Sequence, residues 1–84
     1  MKNILIAEDE KTLREGLSQA FTEGGFKVVE ASDGREALEK MERQVFDLVV
    51  TDLKMPGGDG MEVLRRARTL NEQTLVIIMT AFGT

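Results

Sequence analysis

The chain has 84 residues, of which 42% are apolar and 31% charged, so it forms at most one small domain burying ~60–65% of its unfolded surface. Its net charge of −4 weighs against direct nucleic-acid contact, and the absence of cysteine and histidine excludes disulfides, thiolate nucleophiles, zinc knuckles and histidine-based sites. No apolar run approaches the ~18–20 residues that span a bilayer, and Met1-Lys2-Asn3 carries no signal-peptide profile, so a soluble cytoplasmic domain with no membrane partner is expected.

Residues 4–7 are a short continuous apolar run, as expected of a parallel strand covered on both faces, and the acidic pair Glu8-Asp9 ends it. From about residue 10 to 22, Leu13, Leu17, Ala20 and Phe21 recur at helical spacing, and Gly24-Gly25 supplies the stop. Residues 26–31 alternate more and read as a strand nearer the sheet edge. Asp33 followed by Glu36 predicts a capping box, opening a helix to about residue 42 with Ala37, Leu38 and Met41 inward. A third strand covers residues 45–51 and is followed by Asp52. A loop at 54–60 holds the only proline, Pro56. A third helix is expected from near Asp59 to about Thr69, burying Met61, Leu64 and Ala67, and the most apolar strand follows at 75–80.

This order, βαβαβαβ, predicts an α/β fold, because right-handed crossovers force the strands parallel with helices on both faces of the sheet. Ligands of such sheets bind beyond the carboxyl ends of the strands, where Glu8, Asp9, Asp52 and Thr80 fall. Two carboxylates ~4 Å apart repel by roughly 4 kcal/mol at an effective dielectric of ~20, so a cluster of three is suited to a divalent cation or a shared proton. Each residue also has a plainer reading. Glu8-Asp9-Glu10 would suit the positive N-terminus of the first helix, with Asp9 as its N-cap, and Asp59 would cap the third.

Glu8-Asp9, Asp52 and Thr80, with Met55-Pro56-Gly57 and Asp59-Gly60, closely resemble the receiver domain of two-component response regulators, over a span from Lys2 to Thr84. The ending, residues 79–84, looks most like receivers of the nitrogen-regulator class attached to AAA+ transcriptional activators. The resemblance implies a flavodoxin-like sheet of order 2-1-3-4 and a single receiver domain over residues 1–84. It implies Asp52 as phosphoacceptor for a sensor histidine kinase, and Thr80 as donor to the phosphoryl group. It further implies Mg²⁺ held by Glu8, Asp9, Asp52 and the backbone carbonyl of Lys54, with Ala81 leaving the phosphoryl pocket open. A signalling switch with at most weak autophosphatase activity is implied, not an enzyme with turnover.

Members of the family also have a fifth strand, two further helices and a phosphoryl-binding lysine, all beyond the position that Thr84 matches. No lysine of these 84 residues is assigned that role; Lys54 lies in the wrong loop. The fourth strand is then expected to be an apolar, unprotected edge through which the chain forms a homo-oligomer. The alternative is an inactive truncated receiver acting only as a self-associating structural module. A dehalogenase-type phosphatase would want an aspartate where Lys54 stands, and no glycine-rich phosphate loop follows the first strand.

Overall fold

A computed structural model describes residues 2–52 and 60–79. The elements run β1 (Asn3–Ala7), α1 (Lys11–Glu23), β2 (Lys27–Ala31), α2 (Gly34–Arg43), β3 (Leu48–Asp52), α3 (Gly60–Leu70) and β4 (Leu75–Met79). The four strands form one parallel sheet, as the alternation of strand-like and helix-like periods predicts, and their order, β2-β1-β3-β4, is the one the resemblance implies. Among the described residues, no helix is long and apolar enough to cross a membrane.

β1 is the centre of the core because its side chains feed both faces. Leu5 and Ala7 join Val49, Ala37, Met41, Val63 and Ala67 beneath α2 and α3. Ile4 and Ile6 join Val50 on the other face, packed by Leu17, Phe21 and Phe26. All four of these β1 side chains are completely buried, so the run carries no alternation. β2 pairs with β1 alone among the described strands, in keeping with its more polar pattern and its place at an edge.

The helix ends follow local chemistry, with two departures from expectation. α1 is capped by Glu10 in place of Asp9: the Glu10 carboxylate accepts from the amides of Thr12 (3.2 Å) and Leu13 (2.8 Å). That leaves Asp9 outside the helix. At the other end Gly25 adopts φ +93°, Gly25 N–H donates to Thr22 O, and Phe26 N–H donates to Phe21 O. This is a Schellman arrangement, closed by edge-to-face contact of the Phe21 and Phe26 rings at 5.8 Å. Asp33 caps α2 by accepting from Glu36 N–H at 2.7 Å, while Glu36 reaches past the cap to the amide and hydroxyl of Ser32. The expected capping box is therefore present, displaced by one residue on the return side.

The buried faces of α1 and α3 differ from the predicted stripes. Leu17 and Phe21 pack on the sheet, but Leu13 and Ala20 are exposed. Among the described elements α1 rests only on β1 and β2 and has no helix beside it, so half of its apolar stripe lacks a surface to cover. In α3 the buried residues are Val63 and Ala67, whereas Met61 is exposed and Leu64 half-buried. α3 sits against β3, β4 and α2, and this three-way seat selects the Val63–Ala67 line.

At the amino ends of the strands, Asp47 joins three of them. Its N–H donates to Asn3 O at 2.9 Å, its carboxylate accepts from Asn3 N–H at 2.8 Å, and its carbonyl accepts from Leu75 N–H at 3.1 Å. Nearby, the buried Thr74 hydroxyl donates to the Phe46 carbonyl at 2.6 Å. These contacts set the register that aligns the opposite, carboxyl ends.

Candidate functional site

The register carries the site. Ala7 pairs with Thr51 and Asp52 pairs with Met79, so the residues that leave β1 emerge beside the last residue of β3. Glu8, Asp9 and Asp52 thereby meet, with one carboxylate oxygen from each lying within 4.8 Å of the others. Glu8 is buried, Asp52 half-buried and Asp9 exposed, so the cluster runs from the protein interior to the solvent. Lys54 and Thr80, the other expected site residues, lie outside the described residues, as do Met55, Pro56, Gly57, Asp59 and Ala81.

Glu8 is held on several sides. Its N–H donates to Ala31 O on β2 at 3.0 Å. Its carbonyl accepts from Arg14 Nη1 at 2.9 Å, and its Oε2 accepts from Glu10 N–H at 2.8 Å. Its Oε1 is buried and receives no hydrogen bond from a donor among the described residues. The groups beside it are carboxylates, which only accept when ionised. Burial, the hydrogen bond it would share with Asp9, and the charge of Asp52 push the Glu8 carboxyl up from its ordinary 4.5 to about 7, against the opposing Glu10 amide.

An uncompensated buried oxygen beside two further carboxylates needs either a proton or a cation. The donor set is all oxygen, with no imidazole or thiolate in the chain, and suits a hard divalent ion of the magnesium or calcium kind. The residues present therefore fit such an ion.

Two participants were not legible in the sequence. Glu10 reads as one more acid of a run, yet it caps α1 and holds Glu8 Oε2. Arg14 reads as a solvated helix residue, yet its side chain is largely covered and its Nε donates to Glu30 on β2 at 3.0 Å. Their only local signal is the i, i+4 spacing of Glu10 and Arg14; the partners on β1 and β2 are set by the tertiary fold.

Residues 4–84 match the family model of the response regulator receiver domain. The chain is 39% identical over 82 residues to sporulation initiation phosphotransferase F of Bacillus subtilis, covering 98% of this chain and 66% of that protein. It is 42% identical over 81 residues to response regulator RR06 of Streptococcus pneumoniae, covering 96% of this chain and 37% of that one. The chain thus spans about two thirds of the first relative and little over a third of the second. The crystal structure of response regulator protein TrrA from Thermotoga maritima, in complex with Mg²⁺-BeF, matches with a TM-score of 0.90 at 37% identity, over 99% of this chain and 72% of that one. With its parallel sheet of order 2-1-3-4 and its three acids at the carboxyl edge, the chain belongs to the response regulator receiver domain family.

Proposed function

We propose that this chain is a phosphoacceptor of two-component signalling, with Asp52 as the residue modified and a sensor histidine kinase as the donor. The observation that carries the reading is the meeting of Glu8, Asp9 and Asp52 within 4.8 Å at the carboxyl ends of β1 and β3. An Asp52 carboxylate oxygen attacks the phosphorus of a phosphohistidine; the P–O bond forms as the P–N bond breaks, and the imidazole leaves and takes a proton from solvent. Mg²⁺ held by Glu8, Asp9, Asp52 and the Lys54 carbonyl would supply charge neutralisation for the incoming phosphoryl group. Glu8 is the buried acid of the site and Asp9 the exposed one, while Asp52, half-buried, ends β3. Thr80, next in sequence after the β4 residue paired with Asp52, would donate its hydroxyl to a phosphoryl oxygen.

The same reading makes the protein a cytoplasmic switch with weak self-hydrolysis, not an enzyme with turnover, and one that leaves nucleic-acid contact to other domains. The nitrogen-regulator class, joined to an AAA+ activator, is supported by the run of residues 79–84. Incubation with acetyl phosphate or beryllofluoride is the test. Mg²⁺-dependent labelling that disappears in Asp52→Asn is expected; a folded sample that takes no label refutes the phosphoacceptor role.

A second reading has its own observation. β4 pairs with β3 alone among the described strands, and Leu75 and Ile77 are 70% and 50% exposed. Such an edge favours strand-to-strand association of two copies. The chain would then be a self-associating module whose assembly is indifferent to Asp52. Light scattering of wild type and Asp52→Ala distinguishes the two: the module reading requires an oligomer in both.

A further inference from the structure

We propose that Arg14 is a positioning residue for the acidic site, holding Glu8 so that a single oxygen, Oε1, remains for a cation. The inference rests on the reading of Glu8 as a metal ligand. Arg14 N–H donates to Glu10 O at 2.9 Å, Glu10 N–H donates to Glu8 Oε2 at 2.8 Å, and Arg14 Nη1 donates to the Glu8 carbonyl at 2.9 Å. These bonds form a closed ring across the β1–α1 junction. Arg14 Nε donates to Glu30, and Glu30 precedes Ala31, whose carbonyl receives Glu8 N–H. The guanidinium therefore ties the start of α1 to the ends of both β1 and β2. With its N–H, carbonyl and Oε2 engaged, Glu8 keeps one oxygen uncommitted, and that atom is buried without a donor among the described residues. Groups that orient metal ligands from behind typically govern affinity 10–100-fold.

The sign of the effect separates this role from a simple charge effect. A guanidinium near a cation site repels the cation, so its removal on Coulombic grounds alone tightens binding. Loss of the ring loosens binding, because Glu8 must then be ordered when the ion arrives. Calorimetric titration with Mg²⁺ of wild type, Arg14→Ala, Arg14→Lys, Glu30→Gln and Glu8→Gln, alone and combined with Arg14→Ala, tests the difference. Thermal melting in chelator monitors the metal-free fold in parallel.

Arg14→Ala should weaken Mg²⁺ affinity about 10-fold. Arg14→Lys should fall between it and wild type, because an ammonium lacks the fork that spans both acceptors. Glu30→Gln, whose amide oxygen still accepts, should stay within about 3-fold of wild type. In the Glu8→Gln background Arg14→Ala should change affinity less than about 2-fold, since the effect runs through Glu8. Unchanged or tighter binding by folded Arg14→Ala overturns the proposal, as does a full loss of about 10-fold persisting without the Glu8 carboxylate. Should Arg14→Ala fail to fold, Arg14→Lys decides: affinity equal to wild type overturns the proposal and a loss supports it. Wild type that binds no Mg²⁺ overturns the metal reading itself, and the proposal with it.

Discussion

Glu8 follows β1 and Asp52 ends the adjacent parallel strand β3, and one oxygen of each, with one of Asp9, lies within 4.8 Å of the others although Glu8 is only 2% exposed. A fold that buries an acid beside two others stores a cost that a proton or a cation relieves. Stability, metal affinity and their dependence on pH each register that cost.

Without metal, stability should depend on pH through Glu8. Its carboxyl is pushed up in the fold from 4.5 to about 7, so between these values the folded state holds more protons than the unfolded chain. The stabilising contribution is complete below pH 4.5 and is lost as the pH rises through about 7, amounting to roughly 3 kcal/mol over the window. Chemical denaturation in chelator between about pH 4.5 and 8 should show this fall, and Glu8→Gln should flatten it. A slope of the same size in Glu8→Gln would assign the effect elsewhere.

Mg²⁺ should compete with that proton. Affinity is expected to increase as pH rises from about 5 toward about 7 and to level off above, because the ion requires the ionised Glu8. Titration calorimetry at several pH values in buffers of different ionisation enthalpy should detect proton release below about pH 7. No release there would remove Glu8 from the ligand set.

Asp52→Asn should stabilise the metal-free chain by about 1 kcal/mol while abolishing labelling, because it removes one charge from a crowded cluster and keeps the side-chain volume. Equilibrium unfolding in chelator at about pH 8, above the raised Glu8 carboxyl, checks the sign. A destabilised variant would mean that the carboxylate's hydrogen bonding outweighs its repulsion.

Asp47→Ala should cost about 1–2 kcal/mol through the loss of the 2.8 Å bond from Asn3 N–H, and Asp47→Asn, which retains an acceptor, should cost less. Both should leave Mg²⁺ affinity within about 2-fold of wild type, since Asp47 joins the strands at the edge remote from the acids. Urea denaturation with parallel Mg²⁺ titration separates the two effects.

Ile77→Lys should suppress self-association with little change in monomer stability, about 0.5 kcal/mol or less, because Ile77 is half exposed on β4. Sedimentation equilibrium should find larger species for wild type and a monomer for the variant. Wild type that is already monomeric at micromolar concentration refutes association through this strand.

The strand order that brings Glu8, Asp9 and Asp52 together came from the family resemblance, whereas the order of elements, the parallel sheet and the carboxyl-end position of each acid were legible in the amino-acid pattern. The latter follow from short-range patterns: the period of apolar residues, the Gly24-Gly25 stop, the Asp33–Glu36 cap and the right-handedness of each crossover. Packing between segments was needed to settle that Val63 is buried and Met61 exposed, that Glu10 caps α1, and that Leu13 lies uncovered. Helical periodicity allows several neighbouring stripes, and the surface a helix lands on selects among them. The elevated Glu8 carboxyl and the bridge from Arg14 to Glu8 and Glu30 were likewise decided by packing. Burial and hydrogen-bond partners arise between segments far apart in the chain, and no local pattern encodes the distance at which those segments meet.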